Sequence, residues 1–455
     1  VPLRLLPQCI IGAMADQLLN VASILAGLAL VAWILWDVYQ TVVIPRATPT
    51  RVRLARFVTR DLWLLGRWRA NRATTVERRE RLLGNFAPFT VVVLLGTWVA
   101  VLIVGFGFIL YGLHPEIQNE HDFGVALYQS GISLLTIGYG DVLAQGPLSR
   151  LTEIAAAATG VAVLGLGVTY LFSLYGAFQR REELVTTLDA RAGAPPSGIQ
   201  MLETYAEMDL WEDLRRSLSD WEEWSARVLD THVAYPILIF FRSSHDGESW
   251  LGAIGAVLDA AVLLATTVES GPRGQPIPHG QAVMTIKGGT HLVEDVAQFF
   301  GFANTDQPMV TRAEFNAARY RLARAGMAIR SDGDAAWRAF SDLRSGYASR
   351  LNAMAQYLLI PPTQWIGDRS TVRHVGRVDQ VIQAAAAAGR ESAARNLLAH
   401  ELPQIEFLDG PDGTDGDSAT VRAGRGIVAT RSSLDAPWSA VGTEGEAAER
   451  DNPWV

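Results

Sequence analysis

The sequence predicts an all-α membrane protein with a helical extension beyond the membrane. Three observations lead there. Three long runs within the first 180 residues contain no Asp, Glu, Lys or Arg. Hydrophobic residues make up 49% of the 455-residue chain and charged residues only 19%, below the roughly 25% of an ordinary soluble protein. Beyond residue 180, apolar residues recur at helical spacings with acidic residues between them.

The uncharged runs are 17–36, 82–115 and 154–179, of 20, 34 and 26 residues. A helix rises about 1.5 Å per residue, so roughly 20 apolar residues cross a hydrocarbon core about 30 Å thick. Each run is therefore long enough, and three such runs exceed what the core of a soluble protein needs. The first is longer than the apolar part of a signal peptide and lacks a basic segment directly before it, so it reads as a span. Trp33, Trp36 and Tyr39 sit at its end, as an aromatic belt would. It carries no repeating Arg of the voltage-sensing kind.

Orientation follows from the loop between the first two spans. Residues 46–81 hold eleven Arg against Asp61, Glu77 and Glu80, which assigns this loop to the cytoplasm. The N-terminus then lies outside, the second span runs outward, the third returns, and everything after about residue 184 is cytoplasmic. The segment following the second span begins outside with Glu116, Glu120 and Asp122. Leu54, Phe57, Val58, Leu62, Trp63, Leu65 and Trp68 interleave with Arg in the basic loop. That pattern predicts an amphipathic helix on the inner leaflet, its Arg side chains near anionic headgroups.

Between the second and third spans, a mostly apolar stretch from Phe123 is too short to cross a bilayer and suits a re-entrant helix. The C-terminal end of its dipole would stabilise a cation at the membrane middle. Thr136, Ile137, Gly138, Tyr139, Gly140 and Asp141 follow. Non-helical backbone at this depth is tolerated only where it is buried or lines a watery path. There its carbonyls can replace a cation's hydration shell. Turning successive carbonyls to one axis needs unusual dihedrals, for which Gly138 and Gly140 are permissive. Thr136 adds a hydroxyl at the inner entrance, Tyr139 braces the strand, and Asp141 concentrates cations at the outer mouth.

These six residues, set between two spans and after a short apolar stretch, resemble the signature of the potassium-channel superfamily over about residues 84–180. The resemblance implies an outer helix, pore helix, filter and inner helix. It also implies that the carbonyls of Thr136, Ile137, Gly138 and Tyr139, with the Thr136 hydroxyl, coordinate dehydrated K+. A closed ring needs four strands in this family and the chain has one, so a homotetramer is implied. The sequence departs from the family at Leu135, where a second Thr is common, and at Ile132, where some bacterial members have a Glu that pairs with the mouth Asp. Tyr128 and Gln129 stand where aromatic residues cuff the filter tyrosine, and Gln129 is expected to bond the Tyr139 hydroxyl.

The third span carries Gly160, Gly165, Gly167 and, near its end, Gly176. Gly costs about 1 kcal/mol relative to Ala in a helix. Close packing is one reason to keep it, and a hinge at Gly160 the other. Leu164, Val168 and Phe172, four apart, would line the cavity below.

Expected boundaries are 1–45 for the N-terminal transmembrane helix, 46–83 for the basic interfacial linker and 84–183 for the pore module. An α-helical cytoplasmic domain follows over 184–408, then a disordered acidic tail over 409–455. Within the domain, 191–198 reads as a linker and 199–230 as helical. The apolar segments 235–241 and 250–268 read as a buried helix pair, with a membrane-surface or re-entrant role as the alternative. Helices are expected near 311–330, 334–358 and 376–400. Glu203, Glu207, Glu212, Asp213, Glu222 and Glu223 read as a solvated face rather than a calcium site. His291, Glu294 and Asp295 read as surface residues rather than metal ligands.

The net charge of −8 excludes a globally basic nucleic-acid binder, and the single cysteine, Cys9, excludes a disulfide framework or a multi-thiolate zinc site. Neither a dinucleotide-binding Gly-x-Gly-x-x-Gly after a strand, nor a phosphate-binding Walker loop, nor a nucleophile elbow is present. The expected protein is a multi-pass channel of the inner (plasma) membrane, with K+ as its cargo, an unspecified cytoplasmic ligand and no enzymatic activity. A membrane sensor with a vestigial pore is the alternative, and a membrane enzyme the third class, for which no convergent polar cluster is found.

Overall fold

The structure of the protein, a computed structural model, describes residues 6–44, 54–113, 122–243 and 248–367. Glu116 and Glu120, the expected helix at 376–400 and the tail at 409–455 lie outside these residues. The described chain is almost wholly helical, and three of its helices are long and apolar enough to cross a membrane. They are α1 (Leu6–Val38), which continues as a π-helical turn (Tyr39–Val43), α4 (Phe86–Gly112) and α6 (Pro147–Ala192). Two further helices, α2 (Leu54–Asn71) and α3 (Val76–Gly84), lie between α1 and α4, and the short α5 (Phe123–Leu134) precedes α6.

Small residues let α1 and α4 approach closely, since packing rather than hydrophobic transfer holds helices together in lipid. A Cβ added at Gly27 would lie 2.4 Å from the Gly105 carbonyl oxygen, and one at Gly112 would lie 2.5 Å from that of Asn20. Ser23 Oγ donates to Phe108 O at 2.7 Å across the same seam. At the other end of α1, the buried Asp37 carboxylate accepts the Trp98 indole N–H from α4 at 2.8 Å. It also accepts the Ala55 amide of α2 at 3.3 Å. One carboxylate thus ties three elements.

The expected surface-lying helix is α2, but its arginines do not all face outward. Arg56 is buried, and Trp63 packs against Phe86, Phe240 and Tyr357 with ring centroids 4.9–5.9 Å away. Protein covers this face because its indole and stem carbons find an aromatic cluster there. Phe57, Leu64, Leu65 and Trp68 stay exposed.

Beyond Ala192, where Gly193 takes φ +77°, the chain forms a bundle of α7 (Gly198–Glu207), α8 (Leu214–Ala234), α9 (Trp250–Thr266), α10 (His279–Phe299), α11 (Arg312–Arg324), α12 (Gly333–Ser345) and α13 (Ala348–Tyr357). The expected helix pair is one helix and one turn. Every residue of α9 is buried, whereas Pro236–Phe240 is a 3-10 turn, too short and proline-led to make an α-helix. The helix α9 is enclosed by α7, α8, α10 and α12, which excludes a re-entrant role.

The region expected as a helix at 311–330 ends at Arg324. Ala328–Ile329 (β2) pairs antiparallel with Val268–Ser270 (β1) and takes the chain out of the helix. The expected 334–358 helix breaks between α12 and α13 at Gly346. In the bundle core, Asp259 accepts from Arg344 Nε at 2.8 Å and from the Tyr347 hydroxyl at 2.7 Å. The remaining donors of Arg344 reach the carbonyls of Pro308 and Trp365. This buried ion pair is thereby hydrogen-bonded on both sides, as its desolvation demands.

Candidate ion pathway

Helix α5 is seated between α4 and α6. Phe123 packs its ring 5.0 Å from Phe108 and 5.8 Å from Tyr111, and Ser130 Oγ donates to Ile103 O at 2.7 Å. Its last turn closes through Leu135 N to Gly131 O at 3.0 Å and Thr136 N to Ser133 O at 3.0 Å. Ile137 N then folds back onto Ile132 O at 2.8 Å. The side chain of Ile132 is buried and apolar.

From Thr136 the backbone alternates. Thr136, Gly138 and Gly140 have φ of +56°, +62° and +77°, while Ile137 and Tyr139 between them do not enter that region. In an extended strand successive carbonyls point to opposite sides. Reversing the sign of φ at every second residue turns the intervening peptide planes, so that successive carbonyls share one side. The cost for a non-glycine residue at Thr136 is of order 1 kcal/mol, typical of strain kept at a functional site. Among the described residues no hydrogen-bond donor reaches the carbonyls of Thr136, Ile137, Gly138 or Tyr139. The strand is exposed throughout, Ile137 by 47% and Tyr139 by 71%.

Two side chains of α5 hold the surroundings of the strand. The Tyr128 hydroxyl donates to Asp141 Oδ2 at 2.9 Å. The Gln129 amide donates to Glu153 Oε1 on α6, and so does not take up the expected bond with the Tyr139 hydroxyl of its own chain. Farther along α6, Gly160 rests on the end of α5: an added Cβ would lie 1.8 Å from the Leu134 carbonyl oxygen. Close packing explains this glycine, and α6 continues as helix through it. Leu164, Val168 and Phe172, predicted to line a cavity, are exposed by 70%, 45% and 75%. Ile154 and Val161 extend the same bare stripe.

Below the stripe, α6 runs on into the bundle. The fully buried Arg181 donates to Leu238 O at 2.9 Å and Phe241 O at 2.8 Å, and pairs with Glu182 at 2.8 Å. Its Nη1 lies 3.3 Å from His232 Nε2, and the Trp224 indole donates to its backbone carbonyl at 2.9 Å. His232 Nδ1 faces Val228 O at 2.8 Å, which fixes the proton on Nδ1 and leaves Nε2 to accept. Burial first, and the Arg181 charge second, push the His232 proton affinity well below its ordinary range.

The acidic residues of the bundle make ordinary pairs: Glu203 with Arg321, Glu222 with Gln281 and Glu223 with Arg227. His291 lies 3.7 Å from Asp295, while Glu294 is turned to Arg350. No cluster among the described residues could hold a metal ion. Glu153 and Arg181 escaped the sequence reading. The signal for Glu153 was there: it is the sole acid between Asp141 and Glu182, at the head of an apolar span where a charge needs a partner.

Residues 96–176 match the family model described as "Ion channel", which covers most of α4, α5 with the strand after it, and most of α6. The chain is 25% identical over 215 residues to the uncharacterized membrane protein YdjJ of Bacillus subtilis (strain 168), a stretch covering 46% of this chain and 60% of that protein. The chain thus matches less than two thirds of that relative's length. No solved structure matches.

Proposed function

We propose that this multi-pass membrane protein, whose residues 96–176 match an ion-channel model, is one subunit of a homotetrameric, potassium-selective channel. The observation that carries this reading is the alternation of φ at Thr136, Gly138 and Gly140, in a strand that follows a short helix and leaves its carbonyls without donors. Four such strands about one axis surround a dehydrated K+ with carbonyls of Thr136, Ile137, Gly138 and Tyr139 and offset the loss of its water. The Thr136 hydroxyl adds a ligand at the inner entrance, and Asp141, held by Tyr128, draws cations to the outer mouth.

Conduction is passive. The inner helices gate it, with Leu164, Val168 and Phe172 at the narrowing, and the C-terminal bundle modulates it through the Arg181 grip on the 235–241 segment. In this reading residues 1–45, 46–83, 84–183, 184–408 and 409–455 are the N-terminal span, interfacial linker, pore module, helical domain and acidic tail. The eleven arginines of 46–81 support a reading in which that linker and the C-terminus lie on the cytoplasmic side of the plasma membrane. The exposed Phe57, Leu64, Leu65 and Trp68 of α2 meet the inner leaflet, and its free-facing arginines meet anionic headgroups.

Flux from protein-loaded liposomes tests the reading. The wild type is expected to pass K+ and exclude Na+. Gly138→Ala, which places a Cβ at φ +62°, is expected to lose most K+ flux or its preference over Na+. Equal K+ and Na+ flux from the wild type, or an unaltered Gly138→Ala, refutes it.

A further inference from the structure

The pore-helix carboxylate of some bacterial potassium channels has no counterpart here, since Ile132 fills that place with a buried apolar side chain. A carboxylate nevertheless stands against α5, and it comes from another element. Glu153 lies in the second turn of α6, and its Oε1 accepts the amide N–H of Gln129. Gln129 is only 4% exposed and Glu153 is half-buried, so the bond is partly shielded from water. A lone carboxylate at the start of an apolar span is costly unless a partner occupies it, and Gln129 is that partner.

The position of the pair gives it a mechanical meaning. Gln129 is flanked by Tyr128, which holds Asp141 at the outer end of the strand, and by Ser130, which is bonded to α4. Four residues after Ser130, α5 ends where Leu134 O touches Gly160 of α6. Helix α6 therefore grips α5 at two levels, one polar at Glu153 and one steric at Gly160. Together they set where α5 stands, and α5 sets where its continuation, residues 136–141, stands.

We propose that Glu153 is a positioning residue for the selectivity strand: acting through Gln129, it holds α5 against the inner helix and so keeps the strand conducting. It takes over from the inner helix the bracing that a pore-helix carboxylate would supply. Because α6 also carries the gate, displacement of that helix reaches the strand through this bond. The inference rests on the K+-channel reading and adds a residue to it.

Planar-bilayer recordings of the full-length chain test it, reading the time for which K+ current persists after opening and the K+/Na+ permeability ratio. Losing this part-buried hydrogen bond to a carboxylate is expected to shorten persistence about tenfold or more in Glu153→Ala and in Gln129→Ala. Because they share one bond, the double variant is expected to be no worse than the worse single. Glu153→Gln keeps an acceptor oxygen and is expected to stay within about threefold of wild type. Should the alanine variants fail to assemble, the reversal pair decides: Gln129→Glu alone sets two carboxylates face to face and shortens persistence, while Gln129→Glu with Glu153→Gln restores it. Wild-type persistence in Glu153→Ala, multiplied effects in the double variant, or no rescue by the reversal each overturns the proposal while leaving K+ selectivity of the wild type intact. A wild type without selective K+ current overturns both readings together.

Discussion

At the scale of single residues, the chain relies on buried polar groups whose partners are far away in sequence. Asp37 joins Trp98 and Ala55, Arg181 joins Leu238 and Phe241, and Asp259 joins Arg344 and Tyr347. His232 adds a titratable group to the Arg181 site. Its folded form stays neutral, whereas the unfolded chain takes up a proton near the ordinary value of 6.5. Stability from this residue is therefore fully present above about pH 6.5 and falls as the pH drops below it, by up to about 1.4 kcal/mol per unit. Thermal unfolding of the full chain in detergent at pH 5 and pH 7.5 measures this. His232→Gln is expected to flatten the difference relative to wild type, and an unchanged pH dependence would remove His232 as its source. None of these pairs has a local signature, which is why sequence reasoning passed over them. Thr136 to Asp141 did have one, because six consecutive residues carry the strand's whole chemistry.

At the scale of elements, α6 is the organising piece. It is a single helix of 46 residues, braced at Glu153 and Gly160, bare along Leu164 and Phe172, and clamped at Arg181. The three spans were legible because charge-free length is a direct reading of the bilayer. The continuation of α6 to Ala192 was not, because the return of charge after Gln179 marks departure from lipid and says nothing about departure from a helix. The segment 235–241 was misread for a similar reason: apolar content records burial, and the choice between helix and turn was made by Pro236 and by the carbonyls that Arg181 captures. Arg181→Met keeps much of the stem and removes the donors. It is expected to cost about 3 kcal/mol, as for other broken buried charge networks, and to unlink the bundle from the inner helix. Calorimetry is expected to show an added, earlier unfolding transition, and bilayer recordings an altered open probability. A single transition at the wild-type temperature would contradict the clamp.

At the scale of the whole molecule, one chain leaves a stripe of α6 and the strand 136–141 uncovered, with Phe172 exposed by 75% and Tyr139 by 71%. In the proposed reading this uncovered face is where further copies of the chain complete the ring, because a ring of carbonyls around an ion needs more than one strand. Light scattering of the detergent-solubilised protein is expected to give the mass of four chains, and a one-chain mass would leave the ring unbuilt. The core of the bundle also takes in Trp63, Leu83 and Phe86, so the membrane-proximal helices and the bundle share one hydrophobic cluster. Movement of the bundle is thereby expected to reach the pore along two routes, α2 and α6.

The central claim is that backbone carbonyls of Thr136, Ile137, Gly138 and Tyr139 select K+ by standing in for its water. The reversal potential of the purified full-length protein in a planar bilayer, with K+ on one side and Na+ on the other, measures that choice directly. The account predicts a reversal potential that follows K+ alone, moving about 59 mV for each tenfold change in K+ concentration as for a single monovalent charge. A reversal potential near zero with equal K+ and Na+ on opposite sides, unmoved by replacing one ion with the other, would contradict it.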